Sequence, residues 1–219
     1  MADILDEVLH DHRDEKKLYY FRKFLPIVIV FSIIVVIAML VNNWYSNKQE
    51  NYNMVMGDLL INAISSAEHN KKISYDSLSS IIEKSDNKVA EIASLEQVGI
   101  KISSNEYEQA KELLEKIISN QHFSSLTTSY SRLIWLSLVI DQKIISESEK
   151  EKFQSYMSYF TNEKQEFFGT ISIIKALWYV RNNQIDLAKE SLKITIALET
   201  ITGVVKEQAE VILTNLERQ

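Results

Sequence analysis

ALWYVRNNQIDLA, from Ala176 to Ala188, is the stretch whose reading decides the fold. Ala176 and Ala188 are small residues twelve positions apart. Between them, polar Asn182-Asn183-Gln184 separates two apolar-periodic runs, Phe167 to Arg181 and Ile185 to about Leu198. The reading is helix, tight loop, helix, with one alanine in each helix where a neighbouring backbone can come close. A second stretch, GIKISSNEYEQA, repeats the layout with Gly99 and Ala110 as the small residues.

The rest of the chain has the same texture. There are four glycines and one proline in 219 residues, too few for the turns of a sheet protein. An all-α fold follows. Tyr52 to Ala67 carries apolar residues at spacings of three and four, and Asn70-Lys71-Lys72 breaks the pattern. Ser74 is placed to cap a short helix holding Leu78, Ile81 and Ile82. A helix spans about Lys88 to Ser103, and Asn105 with Glu108 has capping-box spacing for the next. Thr127 to Ile140 is a further apolar helix. Ser146 with Glu149, and Asn162 with Gln165, are two more box spacings ahead of helices. Thr200 to Gly203 interrupts before a last helix through Val205, Ala209, Ile212 and Leu216. The expectation is about nine short helices after residue 48.

Two further positions, Ala63 and Ser137, extend the small-residue series, with successive separations of 36, 38 and 39 residues from Ala63 to Gly99, Ser137 and Ala176. Helix pairs of this period, with a small residue in each helix, resemble degenerate tetratricopeptide repeats. The expected domain is a solenoid of about four helix pairs plus a C-terminal capping helix, with Ala63, Gly99, Ala110, Ser137, Ala176 and Ala188 as repeat-packing residues. Antiparallel helix packing without repeats is the alternative.

Nearer the N-terminus, LPIVIVFSIIVVIAMLV, Leu25 to Val41, contains no charge. With its flanks it gives a segment, 24–45, of the length that crosses a bilayer. No small-x-small cleavage site follows it, so it reads as an uncleaved transmembrane helix. Trp44 and Tyr45 suit one membrane interface, and Arg22 and Lys23 the other. Arg13, Lys16, Lys17, Arg22 and Lys23 precede the span, whereas Lys48 alone follows closely. Positive charge stays inside, so residues 1–23 are read as a cytoplasmic amphipathic tail and 46–219 as an exported domain. In a bacterium this is a single-pass inner-membrane protein with a periplasmic C-terminal domain, and the helix after Tyr45 leads into the first repeat with almost no linker.

The exported part, Lys48 to Gln219, has 19 basic and 24 acidic residues, which argues against nucleic acid as a partner. There is no cysteine, which removes thiolate metal sites and cysteine nucleophiles. The four histidines, His10, His12, His69 and His122, show no metal-ligand spacing, and no glycine-rich phosphate loop or GxSxG occurs. The expectation is no catalytic activity, no cofactor and no small-molecule substrate. Aromatic residues gather in the second half, mostly as core, with Trp135, Tyr156, Tyr159 and Trp178 as candidates for lining a groove that receives a protein segment.

The layout as a whole resembles the YfgM-like ancillary subunit family of the bacterial Sec translocon. The tail DEVLHDHRDEKKLYYFRKFLPIVIV, Asp6 to Val30, is similar to the F/I-x-E-V-x-x-E-x-R-x-D/E tails of alphaproteobacterial members. Val8, Arg13 and Asp14 match, and the middle acid is shifted to Asp11. VVKEQAEVILTNL, Val204 to Leu216, resembles the closing R-x-x-A-x-x-L-L-x-x-L helix, with Lys206 or Glu207 at the basic position. The resemblance implies a membrane-anchored interaction scaffold whose partners are the translocon, periplasmic chaperones or exported proteins. It carries no catalytic residues. A regulator whose tail binds a stress-response factor, and a structural envelope linker, are the alternatives.

Overall fold

A computed structural model describes residues 52–85 and 88–218. The tail 1–23, the segment 24–45 and Arg22, Lys23, Trp44 and Tyr45 lie outside the described residues. Among those described, no helix is long and apolar enough to cross a membrane. The chain divides into Met1–Val55 and Met56–Gln219, and the packing below is that of the second unit.

The described residues are all-helical. Residues 52–67 form α1. There follow α2 (Lys71–Lys84), α3 (Lys88–Ser103), α4 (Tyr107–Ser119), α5 (Ser125–Ile140), α6 (Glu147–Ser158), α7 (Phe168–Arg181), α8 (Ile185–Ala197) and α9 (Gly203–Glu217). From α2 to α6 each helix packs on the next, and so do α7, α8 and α9. In addition α5 touches α7, and α7 touches α9. The core accordingly runs as three successive clusters. Leu60, Ala63, Leu78 and Ala93 form the first, Leu114, Leu136, Val139 and Phe153 anchor the middle, and Ala176, Ala188, Leu192 and Ala209 form the last. Each fully buried leucine or valine side chain contributes about 1.5–3 kcal/mol, and each alanine well under that.

Helix starts separate into those read correctly and those moved. Ser146 and Glu149 form the expected capping box, each satisfying the other's backbone N–H. Asn70 rather than Ser74 caps α2: its Oδ1 accepts from the amides of Lys72 and Ile73, both at 3.1 Å. Ser74 lies inside that helix, buried, and its Oγ has no hydrogen-bond partner among the described residues. Asn105 does not cap α4. It sits left-handed at φ 60°, closing α3, and α4 starts after Glu106 with no side-chain cap. Asn162 does pair with Gln165, whose Oε1 accepts the Asn162 amide at 2.8 Å. That box closes a turn, and α7 begins only after left-handed Phe167.

Two of the loops are built identically. The Asn105 amide donates to Ile102 O at 2.9 Å and the Glu106 amide to Lys101 O at 2.9 Å. The Asn183 amide donates to Val180 O at 3.0 Å and the Gln184 amide to Tyr179 O at 2.9 Å. Both are Schellman turns with asparagine, which tolerates φ above zero, at the left-handed position. Each is followed five residues on by a fully buried alanine, Ala110 or Ala188.

This correspondence corrects the packing role expected of Gly99. Counting twelve back from Ala188 gives Ala176, buried; counting twelve back from Ala110 gives Val98, also buried. Gly99 is one position out of register and faces solvent, and a Cβ built there meets nothing within 4 Å. Gly99→Ala is therefore expected to stabilise the domain by about 1 kcal/mol, the helix-propensity difference, as a rise in the urea midpoint at unchanged slope. Ala63 is buried, while Ser137 is only partly so and turns its Oγ back onto Leu133 O at 2.9 Å.

The glycine that does pack closely is Gly169, at the start of α7. A Cβ there would lie 3.0 Å from Ile201 Cγ2 and 3.1 Å from Val205 Cγ1, so the loop before α9 and its first turn would have to give by a few tenths of an ångström to admit a side chain.

Candidate protein-binding cleft

Helix α6 breaks the otherwise regular stacking, and its composition says why. In ESEKEKFQSYMS only Phe153 is buried, so one side chain does most of the anchoring. Its ring stacks on Trp178 of α7 with centroids 4.2 Å apart and planes at 20°. Tyr156, one turn on, meets Trp135 of α5 edge-on at 5.0 Å. These large side chains bridge a helix that approaches its neighbours less closely than the others do, and a cleft remains on each side of it.

The cleft between α6 and α8 is largely apolar, with a volume of about 450 Å³. Small-molecule pockets typically span about 300–1,000 Å³. Its floor is one face of α7, with Phe168, Ile171, Ser172, Lys175 and Tyr179 at helical spacing. Met157 of α6 forms one wall, and Leu187 and Ile194 of α8 form the other. Those two residues are 43 % and 48 % exposed, an apolar pair turned to solvent seven residues apart.

The opposite cleft, between α4 and α6, is charged and has a volume of about 490 Å³. Lys111 of α4 lies at its centre with a side chain only 6 % exposed, paired with Glu149 of α6 and, at 2.8 Å, with Glu108. Turning the Gln142 side-chain amide over sets its oxygen 2.7 Å from Lys111 Nζ and its nitrogen 3.2 Å from Ile144 O, the orientation that satisfies both groups. Lys152 adds a second bridge to α4 through Glu115 at 2.7 Å. Among the described residues no group of three His, Asp or Glu is placed to hold a metal ion.

Burial on its own would raise the Glu149 pKa. Hydrogen bonds from Lys111 and from the Ser146 hydroxyl and amide outweigh it and hold the carboxyl at about 2. Burial likewise opposes the charge on Lys111, but Glu108 and Glu149 keep its pKa above the ordinary 10.5. A depressed carboxylate stabilises fully above its unfolded pKa and loses that contribution as pH falls through its folded one. The expected result is an extra fall in stability between about pH 4.5 and pH 2. Urea midpoints across that window should show it in the native protein and not in Glu149→Gln. Stability that Lys111 contributes is complete below its ordinary value and declines only above pH 10.5.

Of the four aromatic residues expected to line a groove, none lines the apolar cleft. Trp135 and Trp178 are buried in the middle core cluster, where they fill the space α6 leaves. Trp135 reaches only the charged cleft, and its Nε1 has no acceptor among the described residues. Tyr156 is half-buried against it. Tyr159 is exposed, with the Arg132 guanidinium 4.1 Å over its ring. Leu187, Ile194 and Lys175 were not singled out from sequence. The available signal was in α8, where Ile185, Leu187, Ala188, Leu192, Ile194 and Ile196 are more apolar positions than one buried face holds.

Residues 1–216 match the family described as "Protein of unknown function (DUF2659)". The chain is also 38 % identical, over the full length of both sequences, to a protein of Rickettsia prowazekii (strain Madrid E) whose name is "Uncharacterized protein RP231". No solved structure matches. With all but its last three residues matched, the chain belongs to the DUF2659 family.

Proposed function

We propose that this chain is a membrane-tethered interaction scaffold of the bacterial envelope. In this reading 1–23 is a cytoplasmic tail, 24–45 a transmembrane helix and 46–219 a periplasmic domain of degenerate tetratricopeptide-like helix pairs. Its partners are proteins of the export route: the Sec translocon, periplasmic chaperones or exported chains. It performs no catalysis and binds no cofactor.

The observation that carries the proposal is the open apolar cleft between α6 and α8, with Leu187 and Ile194 exposed on its wall. Their place at the mouth of an apolar cavity, rather than their exposure alone, suits the side chains of a partner. The repeat reading draws on the two identical Schellman turns, whose asparagines are 78 residues apart, twice a period of 39. The relative from Rickettsia prowazekii supports a bacterial setting.

A photo-reactive amino acid at Leu187 or Ile194, in intact membranes, should yield adducts with export or folding factors. The same group at Val204, exposed on α9 away from the cleft, should not. Recovery of no such factor from the cleft positions, or a reporter after Gln219 that proves cytoplasmic, overturns the proposal.

A further inference from the structure

Beyond being a protein-binding site, the cleft specifies the form of what binds. We infer that it takes an amphipathic α-helix of about three turns from a partner protein, with a carboxylate set in the helix's apolar stripe opposite Lys175. This rests on reading the cleft as a protein-binding site, and it says which conformation and charge that site selects.

The conformation follows from hydrogen bonding. The floor and both walls are helices, whose interior N–H and C=O groups are already paired within each helix. They present no free backbone edge to an incoming strand. An extended segment pressed into this apolar space would bury its own amides and carbonyls unpaired, at a cost for each. A helix brings its backbone already satisfied and offers the cleft only side chains. The floor matches it in length: Phe168 to Tyr179 covers twelve residues of α7, eleven steps of 1.5 Å or about 16 Å. The volume holds a few large side chains rather than a whole helix, so the partner lies along the mouth and inserts its stripe.

The charge follows from what would be covered. Lys175 stands in the middle of the floor, between Ile171 and Tyr179 one turn away on either side. Among the described residues it has no acidic partner; its Nζ lies 5.8 Å from the centre of the Tyr179 ring. Exposed, that ammonium is hydrated. Covered by a purely apolar helix, it would lose water and keep only the Tyr179 ring beside it. A carboxylate in the stripe removes the penalty. Glu190, on the α8 wall and also without an ion-pair partner among the described residues, favours a basic residue on the flank towards α8. The two charges together fix the direction in which the helix lies.

The test uses the full chain in lipid nanodiscs and fluorescein-labelled peptides of about 16 residues, long enough to hold helix. The first probe carries a Leu/Ala stripe with one central Glu, the second has Lys in its place, and the third has two central prolines. Fluorescence anisotropy should show saturable binding of the Glu probe and weak binding of the other two. Lys175→Glu, on an exposed position, should weaken the Glu probe about tenfold and strengthen the Lys probe, with an unchanged circular-dichroism spectrum. Equal binding of the proline probe would make the occupant extended and overturn the inference. So would equal binding of the Glu and Lys probes, or indifference to Lys175→Glu. Self-association of the chain that disappears in Ile194→Asp would make the occupant a second copy and also overturn it. Absence of binding by every probe, with photo-adducts still formed at Leu187, would end this inference and leave the scaffold reading in place.

Discussion

Phe153→Ala should destabilise the domain by about 3–5 kcal/mol, the largest loss expected from any single truncation of α6. Phe153 is fully buried, and no other residue of α6 is. Its removal opens a cavity directly against Trp178, whose ring then loses its stacking partner. The remaining ties of α6 are its capping box, the Lys111–Glu149 and Lys152–Glu115 pairs, and the partly buried Tyr156 and Met157. None of these supplies comparable apolar burial. The variant should therefore lose α6 before the rest of the fold. Hydrogen exchange over 147–158 should rise towards that of an undocked helix, while amides in α2 to α4 stay protected. Phe153→Leu, which refills part of the space, should recover more than half of the loss. A Phe153→Ala variant within about 1 kcal/mol of the native protein by urea unfolding would show that α6 is held by its charges instead.

The loss would also bear on function, because α6 is what makes a cleft of the surface. Were α6 packed as tightly as α4 is on α5, Met157 would close over α7 and the apolar floor would disappear. The aromatic side chains of Trp135, Phe153 and Trp178 keep it at a distance, stiffly. An undocked α6 should bind the helical probe weakly even though every residue of the α7 floor and α8 wall is unchanged.

The helices themselves were legible because their evidence is local. Lys88 to Ser103 and Ile185 onward follow from periodicity, and the Ser146–Glu149 box from a four-residue spacing. Caps were misread where two polar residues competed for one job. Asn70 and Ser74 both suit a helix start, and only the backbone angles decide between them. The Gly99 role failed for a different reason. The pair Gly99 and Ala110 is eleven apart and Ala176 and Ala188 twelve, a one-residue difference that turns a helical position by about 100°. Val98 fills the matching place, and a search for small residues passes over it. The cleft was the least legible feature. Large aromatics suggest a groove by composition, yet here they fill the core, and the cleft is lined by ordinary aliphatics made available by a helix standing off. That depends on the mutual placement of α6, α7 and α8, which no local pattern records.

Lys111→Ala should cost about 2–3 kcal/mol, unusually much for a lysine, and the loss should depend on Glu149. The Lys111 ammonium is almost enclosed, and the Glu149 side chain is 20 % exposed. Removing one partner of such a pair leaves the other charged and short of solvent, which costs about 3–5 kcal/mol when nothing else serves it. Glu149 keeps its bonds from the Ser146 amide at 2.9 Å and hydroxyl at 2.7 Å, so the expected loss is at the lower end of that scale. Lys111→Met retains the apolar stem and isolates the charge effect. Glu149→Gln keeps the capping box, since glutamine also serves at that position. Combining the two should restore about 1–2 kcal/mol relative to the sum of the single losses, read as the coupling term of a double-mutant cycle in urea. Acid provides the independent check. Towards pH 2 Glu149 takes up its proton, the orphaned charge is gone, and the penalty of Lys111→Met should shrink by at least half. A penalty that stays constant from pH 7 to pH 2 would mean that Lys111 matters for its packing and not for the charge it neutralises.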